Sequence, residues 1–580
     1  MVLLPLVEIA SRGLFKIGLP GSGPFVQHLV LVVGFLGAAL AAREGRLLAL
    51  ATGTMLPEGP LRTAAAVFAA AVAGAVSALL ARAGLDMALL ERGAGSHIAL
   101  GVPVWIAQLV LPLAFALIAL RVVWLASPRW PGRLVAALGI VAGLALGQRP
   151  EVLAGLSFWP GLLLVILATV LGGPLFVLLG GIALVFFMRD AVPIAAVPAE
   201  TYRLAVSPTL AAIPLFTLAG YLLAEGHASS RLLRVFRALL GWMPGGTAVV
   251  VAVVCAFFTA FTGGSGVTIL ALGALLLKAL SEEKYRERFS LGLLTGCGSL
   301  GLLFPPALPI ILYGIVAQIA IEDLFIGGLV PGFLLLGLVM AWGIREGMRG
   351  EALRTRFSAR EVLAAMNEAK WELLMPVMVL VAIFGGFATL VEGAALTALY
   401  AFLTQTFVHR DLGLRRDVPR VLNESVVLVG GVLVILGAAM GLSSYMVDAE
   451  VPAHLVAWTR AHVHSTAMFL LGLNLFLLVV GCLMDIFSAT VVVVPLIVPI
   501  AHAYGVNPVH LGIIFVANLE LGYLTPPVGL NLFLASYRFK RPMLEITRAA
   551  LPILAILGFG VLLITYAPWL TTGLLTLMRR

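Results

Sequence analysis

The chain has 580 residues, 61% hydrophobic and only 11% charged, with a formal net charge of +9, and its mean hydropathy is +1.09. No water-soluble domain carries so much apolar surface, so the composition excludes a soluble enzyme or binding module and defines a polytopic membrane protein. The basic residues sit in short loops beside apolar runs, which is the positive-inside pattern of a chain threaded through a bilayer and not a nucleic-acid-binding surface.

At about 20 residues per crossing, the apolar stretches between 26 and 570 predict on the order of fifteen spans. Residues 1–125 read as a small helical module, with an amphipathic first segment and apolar runs at 26–42, 62–82 and 102–124. The opening MVLLPLVEIASRGLFK carries Glu8 and Arg12 in its apolar portion and has no small-residue cleavage site, so it does not read as a removable signal peptide. Residues 126–150 combine a basic, proline-punctuated linker with a connecting transmembrane helix at 134–147. Cys255, Cys297 and Cys482 lie in apolar segments, are odd in number and lack metal-ligand spacing, which argues against a disulfide framework or a zinc site.

Residues 151–580 form a large module. Its longest polar stretch, 345–370, holds Arg345, Arg349, Arg354, Arg356, Arg360 and Lys370 and is placed in the cytoplasm. It separates halves at about 151–344 and 371–580 that echo each other. Pairing Pro305-Pro306 with Pro526-Pro527 sets SLGLLFPP beside ELGYLTPP, with five identities in eight. Proline removes an N–H and blocks the preceding turn, so each pair frees carbonyls. In hydrocarbon those carbonyls need an ion, a substrate or water. An internal repeat with interrupted helices is a mark of secondary transporters.

Each half also has an apolar run interrupted before its proline pair. The first runs from 246 to 261, through TGGSG, to 267–280; arms this short predict a re-entrant hairpin with the glycines at its tip. Gly263, Gly264 and Gly266 allow close backbone approach, and Thr262, Ser265 and Thr268 supply hydroxyls. The second interruption carries Asp485, with Ser488 and Thr490 nearby. A carboxylate so deep in an apolar run is either a functional group or a cap on the helix beginning at Ile486. Glu520, with Asn518 and Thr525 close in sequence, offers oxygen ligands suited to a hard cation such as sodium, or else takes part in a structural ion pair. Glu392 reads as a helix-end residue behind Thr389.

These segments resemble the tripartite ATP-independent periplasmic (TRAP) transporters of the dicarboxylate type, with the small and large membrane subunits fused. The resemblance rests on AAIPLFTLAGYLLAEG (211–226), FFTAFTGGSGVTILALG (257–273), GSLGLLFPPALPIILYG (298–314), DLFIGGLVPG (323–332) and GGFATLVEGAALTALY (385–400), and most specifically on 481–533. In the small module it rests on FLGAALAAREGR (35–46) and GVPVWIAQLVLPLAFALIALR (101–121). It implies an all-α elevator-type transporter with inverted repeats, two re-entrant hairpins, two discontinuous helices and a small helical scaffold module. It also implies a bacterial inner-membrane location, sodium as coupling ion with no other cofactor, and a periplasmic binding protein that delivers an organic acid, commonly a carboxylate.

The substrate candidates are then Thr262, Gly263, Gly264, Ser265, Gly298, Ser299, Thr525 and Pro526. The sodium candidates are Asp485, Asn518, Glu520, Thr525, Ser265 and Gly301, and the helix breaks fall on Pro305, Pro306, Gly522, Pro526, Pro527 and Gly529. Two departures stand out: Ala307 replaces the serine common after the first proline pair, and the hairpin tip is TGGS rather than serine-rich. A proton-coupled transporter of the same architecture is the alternative. An intramembrane enzyme using Asp485 and Glu520 is a distant one, lacking an HExxH motif or a nucleophile elbow. A primary pump lacks its phosphate loop in this chain.

Overall fold

The computed structural model describes residues 1–49, 58–149, 155–349, 357–526 and 528–578. Apart from two isolated bridges, every regular element among them is helical. Eleven helices among the described residues are long and apolar enough to cross a membrane. The sequence suggested about fifteen spans, and the difference arises because several apolar runs are cut into shorter helices at glycine and proline. The polar stretch 345–370 is not all loop: Ile321–Arg349 enters it, and Ala359–Glu368 forms a helix capped by Ser358. Residues 350–356, with Arg354 and Arg356, lie outside the described residues.

The chain forms two compact units, Met1–Pro214 with Asn423–His454, and Leu215–Leu422 with Leu455–Arg580. The first contains the small module together with the opening helices of the large one. Its first helix, Leu3–Phe15, has 13 residues, about 20 Å at 1.5 Å per residue and too short for a hydrocarbon core of about 30 Å. Leu3, Val7, Leu14 and Phe15 are exposed along it. Ser22–Glu44, Pro60–Ala94 and Val104–Leu125 realise the three apolar runs, and the first two end at Gly45 and Gly95 with φ +68° and +71°.

The connecting helix Trp130–Gln148 lies on Pro60–Ala94. A Cβ on Gly139 or Gly143 would sit 1.9 Å and 2.3 Å from the carbonyl oxygens of Ala71 and Ala75. Such backbone contact is how helices associate where lipid removes the hydrophobic drive. Gly430, within Asp417–Asp448, meets Ser22–Glu44 in the same way, its absent Cβ falling 2.1 Å from the Ala38 nitrogen. Asn423 Nδ2 adds a 2.8 Å bond to Glu44.

In the second unit one series of elements occurs twice. A hairpin (Gly246–Thr262 with Ser265–Glu282; Thr466–Leu483 with Ile486–Ala503) leads to a broken helix. That helix (Glu287–Cys297 then Leu308–Ala317; Pro508–Gly522 then Leu530–Phe539) is followed by a long one (Ile321–Arg349; Met543–Tyr566). The register is constant. The second hairpin arms lie 221 residues apart at both ends (265 to 486, 282 to 503), and so do the proline pairs (305 to 526).

Packing is reciprocal as well. Glu287–Cys297 packs on Leu530–Phe539 and Pro508–Gly522 on Leu308–Ala317, while each second hairpin arm packs on the later piece of the other half's broken helix. Such exchange is the signature of a pseudo-two-fold axis. Arg541 pairs with Glu287 at one end of the Glu287–Cys297 and Leu530–Phe539 pair, and Asn531 bonds Thr295 at the other, so these pieces run antiparallel.

The amphipathic helix Ala228–Leu240 braces this unit with three arginines spaced by three. Arg231 pairs with Glu372 at 2.6 Å and Asp411 at 2.8 Å, Arg234 with Glu361 and Glu368, and Arg237 with Glu283 at 2.7 Å.

Candidate functional site

The first hairpin turns at Gly263, whose φ of +65° is the left-handed region that glycine enters without strain. A Cβ there would also lie 2.4 Å from Leu308, so the tip is pressed against the first helix break. Thr262 Oγ1 reaches the Gly264 carbonyl at 3.5 Å. Ser265 starts the next helix, buried, and its Oγ has no hydrogen-bond partner among the described residues. That helix has no side-chain cap, since Gly264 supplies none. The Val267 N–H donates to the Gly264 carbonyl at 3.2 Å, and with no side-chain cap the N–H groups of Ser265 and Gly266 face the place where an anion would sit.

The first break is fastened to the hairpin by Thr259, whose Oγ1 donates to the Gly298 carbonyl at 2.9 Å and lies 2.7 Å from Thr268 Oγ1. Gly298 and Gly301 are as tightly placed, their absent Cβ atoms 2.6 Å from Ile269 and 2.2 Å from the Ala256 carbonyl oxygen. Ser299 donates weakly to Gly296 O at 3.4 Å. The bond between Pro305 and Pro306 is cis.

The second break is tied to the second hairpin. Gly529 N–H donates to the Cys482 carbonyl at 3.1 Å, and the Ile486 N–H donates to the Tyr523 hydroxyl at 2.6 Å. Gly522 backs onto Gly481, and Thr525 turns its hydroxyl to Leu521 O at 3.1 Å. Pro526 is described; Pro527 lies outside the described residues.

Asp485 realises the capping reading. Its Oδ1 accepts from the N–H groups of Phe487 and Ser488 at 3.0 and 3.1 Å, and its Oδ2 from Ser488 Oγ at 2.5 Å. The two hairpin tips thus differ: the first offers an uncapped helix start, while the second fills its own with a carboxylate. Glu392 closes a capping box with Thr389, the structural role its sequence position suggested.

Asn518 is drawn into a separate network, donating to Asn474 Oδ1 at 2.6 Å and to Ile514 O, while Thr565 Oγ1 also reaches Asn474 Oδ1. Glu520 is almost wholly buried, at 1% exposure, and neither carboxylate oxygen has a hydrogen-bond partner among the described residues.

The structure therefore gathers Thr262–Ser265, Gly298, Ser299 and Gly301 into one cluster, and Asp485, Gly522 and Gly529 into another. Asn531 links the breaks, donating to Thr295 O at 3.1 Å and reaching Ser299 Oγ at 3.4 Å. Sequence reasoning passed over Asn531, Thr259, Tyr523 and Asn474. Asn531 was the findable one, a lone amide in the apolar run beyond the second proline pair. No group of three His, Cys, Asp or Glu among the described residues could hold a metal. Hydroxyls, carbonyls and the carboxylates of Asp485 and Glu520 suit a hard cation, not a zinc-type ion.

Two repeats that bring two broken helices and two hairpins to a shared centre define a membrane transporter. The chain belongs to the tripartite ATP-independent periplasmic transporters: the model of their DctM component matches residues 161–570, and that of their DctQ component residues 1–127. It is similar to the C4-dicarboxylate TRAP transporter large permease protein DctM of Vibrio cholerae, 32% identical over 438 residues covering 72% of this chain and 97% of that one. It is also similar to the isethionate TRAP transporter permease protein DctMQ of Oleidesulfovibrio alaskensis, 34% identical over 483 residues covering 81% of this chain and 75% of that one. The solved YdaH transporter of Alcanivorax borkumensis aligns with a TM-score of 0.46 at 17% identity over 62% of this chain and 85% of its own, a likeness too weak to bear on function. The chain is thus a multi-pass transporter component of the bacterial inner membrane and not an enzyme.

Proposed function

We propose that the chain is a membrane component of a sodium-coupled importer for a small organic acid handed over by a periplasmic binding protein. The observation that carries this reading is the inequality of the two hairpin tips. The uncapped start of Ser265–Glu282, with the free Ser265 hydroxyl, offers donors to a carboxylate, and the Asp485 cap on Ile486–Ala503 repels one. Glu520 and the freed carbonyls at the breaks supply oxygens for sodium, and binding at one shared centre couples the two, because a ligand shifts a conformational equilibrium only through its differential affinity.

The hairpins and broken helices, bonded through Thr259, Gly529 and Asn531, form the body that carries both across the membrane in an elevator movement. Relatives named for C4-dicarboxylates support a dicarboxylate as substrate, and the isethionate relative makes a small sulfonate the next compound to try.

The test is uptake of a labelled C4-dicarboxylate into proteoliposomes with the cognate binding protein. The expected result is accumulation only with an inward sodium gradient. Proton coupling is the second reading, favoured by the burial of Glu520 without a donor; uptake driven by a pH gradient in sodium-free medium would establish it instead.

A further inference from the structure

The constant register of the repeat assigns every residue of one half a partner in the other. Ser299 corresponds to Glu520, and Asn531 to Ile310 (299 to 520, 310 to 531). In the first seam, Leu530–Phe539 against Glu287–Cys297, the Asn531 amide closes on Thr295 O and Ser299 Oγ. The second seam, Leu308–Ala317 against Pro508–Gly522, has the same packing. There the place of the amide falls to Ile310, fully buried beside Gly328 and Ile513, and the place of Ser299 falls to Glu520. An isoleucine cannot donate a hydrogen bond.

Glu520 has no hydrogen-bond partner among the described residues, and by the register the position that supplies the donor to its mate Ser299 is an isoleucine. Asn518, two residues away, is no substitute, because its amide is spent on Asn474 and Ile514 O. No Lys, Arg or His among the described residues pairs with Glu520 either. A carboxylate taken out of water without hydrogen bonds or a counter-charge is strongly unfavourable, so the seam calls for one positive charge. A lone carboxylate suits a monovalent ion, since divalent ions recruit several charged oxygens.

We propose that the two repeat-related seams are chemically unequal: the one around Ser299 is closed permanently by Asn531, and the one around Glu520 is closed by a sodium ion, with Glu520 as its charged ligand. This rests on the sodium-coupled reading and deepens it. Sodium does for the second seam what an amide does for the first, so it joins residues of both halves and stiffens the carrying body when it binds.

The experiment is thermal unfolding of the purified chain with sodium exchanged for potassium at fixed ionic strength. A ligand that binds only the folded state raises stability in proportion to RT ln(1 + [L]/Kd). The wild type is expected to show a sodium-specific rise, lost in Glu520→Gln and retained in Ser299→Ala. Ile310→Asn, which restores the missing amide, is expected to unfold at a higher temperature than wild type without sodium and to need at least about tenfold more sodium for the same rise, the equivalent of one lost ligand at roughly 1.4 kcal/mol. If Glu520→Gln does not fold, Ile310→Asn carries the test alone. A sodium rise unchanged in both variants overturns the seam assignment and leaves sodium coupling standing. No sodium-specific rise in the wild type overturns sodium coupling, and the inference with it. A sodium-free transition that follows pH and is abolished by Glu520→Gln replaces the ion with a proton and overturns the assignment too.

Discussion

Asn531 donates its side-chain amide to the main-chain carbonyl of Thr295, 3.1 Å away in space and 236 residues away in sequence. The bond crosses from the later piece of one broken helix to the earlier piece of the other. It satisfies a carbonyl at the end of a helix that the sequence interrupts a few residues later, and it holds the two halves in register at the site.

Asn531→Leu keeps the volume and removes the donor. The Thr295 carbonyl and the Ser299 hydroxyl lose this partner, and a bond of this kind lost in a buried place costs about 1–3 kcal/mol. The expected outcome is a melting temperature lower by several degrees, with uptake falling further than stability alone explains when assayed well below the transition.

Asp485 can be tested as a cap by two substitutions. Asp485→Ala removes the acceptor for Phe487 and Ser488 and is expected to cost about 1–2 kcal/mol. Asp485→Asn keeps an oxygen acceptor and is expected to retain most of the stability and most of the transport activity. Uptake abolished in the asparagine variant at wild-type stability would make the charge itself functional.

The Arg231 cluster gives a pH signature. Burial pushes the Asp411 carboxyl upward, but hydrogen bonds from Arg231 and the His227 N–H and the charge of Arg231 outweigh it and hold it below the ordinary aspartate value of 3.8. A carboxyl depressed on folding contributes stability that is present above that value and lost as pH falls through the lower, folded one. Stability measured from pH 6 downward is therefore expected to drop below about pH 4 in the wild type, with a shallower drop in Asp411→Asn. Arg231→Ala, which leaves Glu372 and Asp411 facing each other, is expected to cost about 3–5 kcal/mol at neutral pH.

Gly430→Leu places a side chain where the backbone of Gly37 and Ala38 lies 2.1 Å from the absent Cβ. Nothing there is a flexible side-chain end, so the helices must part. The expected result is loss of the folded chain, read as proteolysis of the 1–125 segment in membranes; Gly573→Leu, with open space around it, serves as the control and is expected to behave as wild type.

How much of this was legible differs from residue to residue. The helical, polytopic class follows from composition alone, because an apolar chain in lipid must satisfy its backbone within each segment. The hairpins at Gly263-Gly264 and Asp485 and the breaks at the two proline pairs were legible as well, since glycine and proline act on the backbone locally wherever they stand. Glu392 fell into the same group, because a capping box is set by four consecutive residues. The sequence also limited Asp485 to two roles without choosing between them.

What only the tertiary structure decided is which groups meet. Whether Asp485 accepts from its own helix, whether Asn518 turns to Asn474, and whether anything turns to Glu520 depend on side-chain direction and on elements far away in sequence. The repeat could be read from the proline pairs. That it places Asn531 beside Ser299 and leaves Glu520 without a hydrogen-bond partner among the described residues required the packing of one half against the other, because hydrogen bonds are made over about 3 Å of space and the sequence orders residues only along the chain.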